Sequence, residues 1–313
     1  MPYRPIIIAS LQAAGLTVAG FLVPLLGQIA VLFVPVPLIT VTVLHGRPAG
    51  ALALAGAAAL VSAAFGLQAA VVLFFLSFGL MALGLAEGLL RGWRPEAAVA
   101  VAGTLPLLLL LLVIAPAVLK TGKDPVALAE NLLRQNIAAG RQLYTDLGAA
   151  EVVQAIDALS DRVVFYLVRL IPGIVLLTTL LQAAGCYGLG RAVVLRRRPG
   201  LLSASQPSLA LWHAPDTWVW ALIATLGLVA LAPRDSGAWF FGLNLSFLWL
   251  LVYTAQGAAL LEFFLRKARI PVIARSFLHT LVLILPTIVA VIAFGVVDIW
   301  ADFRKVRPQV PRA

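Results

Sequence analysis

The chain has 313 residues, of which 62% are hydrophobic and 12% are charged, and its formal net charge is +10. Soluble domains are closer to half apolar and a quarter charged, so this chain has more apolar residues than one buried core can hold. The composition excludes an ordinary soluble domain and predicts an integral membrane protein. Cys186 is the only cysteine, which excludes an intrachain disulfide and a cysteine-based zinc cluster.

The excess positive charge does not indicate a nucleic-acid partner. The lysines and arginines cluster at the ends of apolar segments, where they meet lipid headgroups. We therefore expect the partners to be the lipid bilayer and the anionic headgroups beside the basic loops, and no nucleic acid. The three histidines, His45, His213 and His279, show no metal-ligand spacing, and neither a metal nor another cofactor is expected.

Nine apolar segments approach the roughly 20 residues that a helix needs to cross the hydrocarbon of a bilayer. They run over residues 6–26, 28–44, 50–66, 69–90, 97–119, 163–189, 217–232, 239–265 and 276–300. Apolar runs of this length indicate helices, because a helix satisfies its own backbone hydrogen bonds in lipid. We predict an all-α fold, a polytopic transmembrane helix bundle of about eight to nine spans. The short segment 217–232 and the segment 276–300, which Pro286 interrupts, leave the count open.

The second segment contains the sequence FVPVPLITVTVLHG, with Pro35 and Pro37 inside it or at its mouth. Each proline removes a backbone donor and tends to break or kink a helix. Broken helices often line binding cavities in transporters, and proline is also tolerated in ordinary membrane helices. Both interpretations of this segment remain open at the level of sequence.

Residues 120–162 form the one hydrophilic stretch of any length. Asp124 is a plausible N-cap with Pro125 at the first helical position, and the apolar residues that follow recur near helical spacing. This predicts a surface insert, either an amphipathic helical hairpin or interfacial helices. The predicted domains are an N-terminal membrane bundle of about five spans, the insert, a C-terminal membrane bundle of about three to four spans and a flexible basic tail, at 1–119, 120–162, 163–302 and 303–313.

The basic loops predict the orientation of the chain. With the N-terminus in the cytoplasm, most loop cations, including Arg91, Arg94 and the run 196–198, fall on the cytoplasmic side. We expect a multi-pass protein of the bacterial cytoplasmic (inner) membrane. Nine full spans would place the basic tail outside, whereas a re-entrant segment at 276–300 would return it to the cytoplasm, and the side of the tail stays open.

Ionisable residues inside apolar segments are the leading candidates for a site. A charge at membrane depth costs about 2.5–3.5 kcal/mol on insertion scales, so such residues are usually paired or functional. The candidate ligand-binding or buried polar residues, with the prolines of the second segment and an interfacial tryptophan, are Arg169, Asp298, Asp302, Pro35, Pro37, Glu262 and Trp300.

Local pairing is the structural alternative for the acidic residues. Glu87 and Glu262 lie four residues before Arg91 and Arg266, a spacing that favours ion pairs on one helix face.

Arg169 and Asp298 are the pair on which a buried polar centre would depend. Arg169 either snorkels to the headgroups or faces the bundle, together with Arg162, Tyr166 and Gly173 on one helical face. Our hypothesis is that Asp298 faces the interior and pairs with Arg169.

The end of the last segment carries the remaining candidates. Asp298, Asp302 and Lys305 are predicted to share one face of this helix, with Trp300 at the headgroup boundary and Asp302 in the interface. The two acids would be close enough to share a polar pocket. Alternatively, Asp298 pairs with Arg304 or Lys305 one or two turns away.

Three stretches carry a resemblance to a known family. The sequence FLVPLLGQIAVLFVPVPLITVTVLHGRPAGALAL at 21–54, YTAQGAALLEFFL at 253–265 and FGVVDIWADFRK at 294–305 resemble the YybS-like family of bacterial predicted multi-pass membrane proteins. The function of that family is unassigned, so the resemblance implies no catalytic residues. More remotely, the N-terminal half is similar to the substrate-binding subunits of energy-coupling-factor transporters, which are small helical bundles that bind a vitamin or metal precursor from outside.

Two functions are weighed from the sequence. No nucleotide-binding, zinc-protease or serine-hydrolase motif occurs, so we expect that the protein is not an enzyme. We favour a small-molecule binding or transport-related membrane protein. The alternative is a non-transporting structural or regulatory protein that docks a protein partner or anionic lipid through 120–162 or the basic tail.

Overall fold

The computed structural model describes residues 3–23, 26–66, 69–122, 124–148, 150–157, 161–202, 209–271, 274–275, 278 and 287–305. Within these ranges the regular secondary structure is entirely helical, which confirms the all-α prediction. The α-helices are α1 (Tyr3–Leu22), α2 (Leu26–Val31), α3 (Pro35–His45), α4 (Arg47–Phe65), α5 (Ala69–Leu90), α6 (Pro95–Thr121), α7 (Pro125–Asp146), α8 (Ala150–Asp157), α9 (Asp161–Arg197), α10 (Trp218–Leu231), α11 (Gly237–Lys267) and α12 (Thr287–Ala301). A short 3-10 helix covers Leu209–Leu211.

In the described part of the chain, six helices are long and apolar enough to cross a membrane. Their apolar stretches are Tyr3–Leu22, Arg47–Phe65, Val71–Leu90, Pro95–Lys120, Arg162–Arg197 and Gly237–Lys267. Shorter apolar helices occupy the positions of the second, seventh and ninth predicted segments, at Ile29–His45, Trp218–Leu231 and Thr287–Ala301. The helical membrane bundle is thus supported with six full-length candidates, and a total of eight or nine would require the short helices to cross as well. Pro286 and residues 306–313 of the predicted tail lie outside the described residues.

The chain forms two compact units. The first unit contains Met1–Gly122 and Thr178–Gln206, and the second contains Lys123–Leu177 and Pro207–Ala313. Helix α9 contributes its first half to the second unit and its second half to the first. The first unit is therefore assembled from segments that are far apart in sequence.

Small side chains bring α1 and α4 together in the first unit. Ala13 and Ala53 are fully buried, and the Ser10 hydroxyl donates a hydrogen bond of 3.0 Å to the Ala53 carbonyl oxygen. A Cβ atom at Gly56 would lie 2.6 Å from the Ser10 Oγ atom, so glycine is required for this approach. Such close contact between small residues is how membrane helices associate where no hydrophobic force acts between them.

The chain reverses direction between α1 and α3. Gly20 on α1 packs against the Val31 side chain of α2, and a three-residue turn at 32–34 leads into α3. Pro35 is the first residue of α3, where its missing N–H needs no helical partner. The break in the second predicted segment is therefore a turn before Pro35, and both prolines lie in the first turn of α3.

Asn244 on α11 compensates a proline in α9. Its Nδ2 donates to the Arg169 carbonyl oxygen at 2.8 Å, and its Oδ1 accepts from the Gly173 amide at 2.6 Å. These two backbone groups normally bond each other in an α-helix, and Pro172 lies between them. Polar side chains of neighbouring helices commonly satisfy the backbone groups that a proline frees in lipid.

Replacing Asn244 with leucine should therefore destabilise the second unit by about 1–3 kcal/mol, since two partly buried backbone groups lose a partner. Ser246→Ala is the matched control two residues away, because among the described residues the Ser246 hydroxyl bonds only its own helix, at the Gly242 carbonyl oxygen, and its loss should cost below about 0.5 kcal/mol. Unfolding of both variants in detergent micelles measures the difference. Equal stabilities would show that Asn244 does not support α9.

Candidate functional site

A cavity of about 650 Å³ opens between α1, α3 and the second half of α9 in the first unit. Its volume falls within the range of 300–1,000 Å³ that is typical of small-molecule sites. The described lining residues are Arg4, Pro5, Ile8, Ala9, Gln12, Gly15, Leu16, Phe33, Val36, Pro37, Thr40, Val41, Leu44, His45, Leu189, Val193 and Arg197. Most of these side chains are apolar, and the polar ones are few.

The prolines of α3 have different positions relative to this cavity. Pro37 is one of the lining residues, whereas Pro35 is fully buried in the core. Between the two, Val36 also contributes to the wall. Only the second proline of the predicted pair therefore has direct access to the cavity.

The direction of each helix determines which lining residues meet. Because Gly20 of α1 contacts Val31, and α3 runs on from there, α1 and α3 are antiparallel and Arg4 lies near the level of His45. Gln182 and Cys186 of α9 both donate to the Leu32 carbonyl oxygen, at 3.0 and 3.2 Å. These contacts place the start of this half of α9 beside the start of α3.

One turn further along α9, Gly190 packs against Ile39 in the middle of α3. Helix α9 therefore runs parallel to α3, and a helix advances about 1.5 Å per residue. Arg197 lies seven positions after Gly190, and His45 lies six positions after Ile39. Both residues are therefore at nearly the same height along the two parallel helices. The three basic residues of the lining, one from each helix, come together at one end of the cavity.

The basic end of the cavity has no acidic side chain in its lining, as far as the chain is described. Arg4 and Arg197 form no ion pair with any residue that the structure describes. By contrast, Arg47 binds both oxygens of Glu87, at 3.0 and 2.8 Å, and Arg91 also pairs with Glu87. The predicted Glu87–Arg91 pair is confirmed. The Glu87 carboxylate thus pairs with two arginines that do not line the cavity.

Asp298 and Arg304 form a buried ion pair in the second unit. Their side chains are 4% and 1% exposed, and Arg304 Nη2 lies 2.7 Å from Asp298 Oδ2. The hypothesis that Asp298 pairs with Arg169 is therefore wrong, and the alternative that it pairs with Arg304 is confirmed. The reason lies beyond the helix: α12 ends at Ala301, and the turn that follows folds Arg304 back over Asp298.

Asp302 is the residue at which the chain turns. Its φ of 41° lies in the left-handed region, which aspartate tolerates better than most residues. Because α12 stops before it, Asp302 and Lys305 do not continue the helical face of Asp298, which corrects that prediction. The Phe303 amide donates to Asp298 Oδ1 at 3.1 Å and closes the turn.

Further hydrogen bonds complete the cluster around this pair. Arg304 Nη1 donates to the carbonyl oxygens of Ala210 and Trp212, at 3.0 and 2.7 Å. Gln256 Nε2 lies 3.4 Å from Asp298 Oδ2, and its Oε1 accepts from the Ala214 amide. A cavity of only about 10 Å³ remains, lined by His213, Ala214, Asp216, Gln256, Asp298, Asp302 and Arg304. Asp298 and Asp302 thus share a polar pocket, and it is too small for a ligand beyond a single water.

Arg169 pairs with the insert. Its Nη1 lies 2.6 Å from Glu130 Oε1 on α7, and its guanidinium stacks 3.6 Å from the centre of the Phe165 ring. Tyr166, on the same predicted face of α9, donates to Asp235 at 2.6 Å. Arg169 is therefore not an unpaired arginine that extends to the headgroups, and it does not line the large cavity. Its ion pair with Glu130 joins α7 to α9.

Glu262 and Trp300 lie outside the large cavity. Glu262 accepts from Arg266 at 2.6 Å and from Arg275 at 2.7 Å, so the predicted pair with Arg266 is confirmed and a second arginine is added. Trp300 is 64% exposed at the end of α12, and it is not among the lining residues. The two ion pairs of Glu262 suit a structural role.

The sequence prediction missed the basic end of the cavity. Arg4 and Arg197 lie at the ends of apolar helices, where arginines were interpreted as headgroup contacts, and His45 was considered only as a metal ligand. Gln12 was missed as well, although it is a lone amide within an apolar segment. A polar residue inside such a segment is the signal that could have identified it.

These features define a multi-helix membrane protein with closed polar clusters in one unit and a ligand-sized cavity in the other. Residues 13–299 match DUF2232, a family described as predicted membrane proteins, and the chain belongs to this family. The membership supports the resemblance to a family of predicted membrane proteins, and the similarity to energy-coupling-factor subunits stays a prediction. No curated protein and no solved structure matches the chain.

Proposed function

We propose that the first unit binds a small molecule in the cavity between α1, α3 and α9, in a binding or transport-related role. The observation that carries the proposal is the cavity of about 650 Å³ beside the proline-containing start of α3. Its apolar walls with a few polar groups are the usual composition of a small-molecule site. The resemblance of the N-terminal half to substrate-binding subunits of transporters, which is a prediction from the sequence, agrees with this proposal.

The glycine in the cavity wall also supports binding. Several helical glycines of the unit lie at helix contacts where a Cβ atom would collide, as at Gly50 and Gly79. Gly15 in the middle of α1 has no atom within 4 Å of the position of a Cβ, and the same holds for Gly188 on α9. Of these two glycines, only Gly15 lines the cavity. Glycine destabilises a helix interior by roughly 0.5–1 kcal/mol relative to alanine. Its presence here keeps space open and does not improve packing.

Gly15→Phe tests the proposal by filling the cavity from its wall. We expect about tenfold less small molecule to co-purify with this variant than with the wild type, as measured by mass spectrometry. Gly188→Phe is the matched control, since Gly188 is also a helical glycine of this unit with open space around it, and it is not a lining residue. Equal recovery of a ligand from both variants would contradict binding in this cavity.

A further inference from the structure

We propose that the ligand of this cavity is an anionic lipid, with its head on Arg4 and Arg197 and its apolar chain along the helix walls. This inference rests on the proposed binding function and specifies the ligand class. It depends on the arrangement of the lining residues: the basic residues lie at one end of the cavity, and most of the other lining residues are apolar.

The charge at the basic end calls for an anionic group. Arg4 and Arg197 line the cavity without an ion-pair partner in the described part of the chain, and His45 lies at the same level. A guanidinium presents its N–H groups as a fork that matches the oxygens of a phosphate or a carboxylate. With no acid in the described lining, a bound anion would supply the counter-charge that the protein lacks there.

The length of the apolar wall favours a lipid chain over a compact metabolite. On α1 the lining extends from Arg4 to Leu16, which corresponds to about 18 Å along the helix axis, and the Gln12 amide is the one polar side chain of this described lining between them. One leaflet of a bilayer contributes about half of the ~30 Å hydrocarbon core, so the wall covers roughly the depth of one leaflet. If the anionic headgroup binds the arginines, the acyl chain of the lipid lies in the cavity at the same depth as the acyl chains of the surrounding leaflet.

Native mass spectrometry of the full-length protein in detergent tests this assignment, with phosphatidylglycerol and phosphatidylcholine added separately. The wild type should bind phosphatidylglycerol about tenfold more tightly than phosphatidylcholine. The variant Arg4→Gln/Arg197→Gln should lose this preference and keep the weaker binding of phosphatidylcholine. The control Arg196→Gln/Arg198→Gln removes two exposed charges beside Arg197 without touching the lining, and it should keep the preference.

The remaining outcomes separate this inference from the proposed function. If both double variants lose the preference equally, the arginines act as general surface charge and the inference is overturned. If inorganic phosphate alone raises the unfolding temperature as much as phosphatidylglycerol does, the site binds a free anion and not a lipid. Loss of both lipids in Gly15→Phe would support the cavity itself, whereas unchanged binding in Gly15→Phe would overturn the proposed function as well.

Discussion

Asp298→Asn is expected to lower the free energy of unfolding by about 3–5 kcal/mol, the usual effect of removing one member of a buried ion pair. The variant removes the carboxylate that contacts the buried Arg304 guanidinium at 2.7 Å, and the other groups that bond or contact this guanidinium or its partner are the Ala210 and Trp212 carbonyl oxygens and the uncharged Gln256 amide. Denaturant-induced unfolding of the purified protein in mild detergent measures the loss. Lys305→Gln is the control, since this neighbouring cation is exposed and its removal should change stability by less than about 0.5 kcal/mol.

A double variant distinguishes the ion pair from general packing. Asp298→Leu/Arg304→Met removes both charges, and we expect it to be more stable than Asp298→Asn because no uncompensated charge stays buried. Arg304 also binds the carbonyl oxygens of Ala210 and Trp212, so the residues after α12 should become more sensitive to protease in either variant. If Asp298→Asn is as stable as the wild type, the pair is not needed to hold this turn.

Gly295→Leu is the second substitution with a large expected effect, a loss of about 3 kcal/mol or more from overpacking. A Cβ atom at Gly295 would overlap the Tyr253 carbonyl oxygen and lie 2.8 Å from the Gly257 amide nitrogen. Gly257 in turn faces the Val291 carbonyl oxygen. The two helices α11 and α12 therefore meet backbone to backbone, and the obstructing atoms cannot move aside as a flexible side chain would.

Gly227→Leu provides the comparison for this crossing. Gly227 lies inside α10 in the same unit, and no atom lies within 4 Å of its missing Cβ. The leucine should be neutral or slightly stabilising there, because glycine is a poor helix former. Thermal unfolding of both variants in the same detergent gives the contrast. Similar midpoints for the two variants would show that α11 and α12 are not held at this distance by their glycines.

The order of residues along the chain was enough to predict the solvent around this protein and the pairs formed within single helices. Its apolar segments predicted membrane helices because hydrocarbon requires each segment to satisfy its own backbone. The pairs Glu87–Arg91 and Glu262–Arg266 were also predictable, since residues four apart on a helix are neighbours whatever surrounds them.

The partners of the buried charges and the walls of the cavity became known from the packing of the helices. Arg169 meets Glu130 on the insert, and Asp298 meets Arg304 through a turn that depends on the conformation of Asp302. The third wall of the cavity comes from the second half of α9, whose lining residues Leu189, Val193 and Arg197 are far from α3 in sequence. Helical periodicity predicts which side chains share a face of one helix, but it does not predict which helices pack against each other. That choice follows from the fit of small residues at helix crossings, which is a property of pairs of segments.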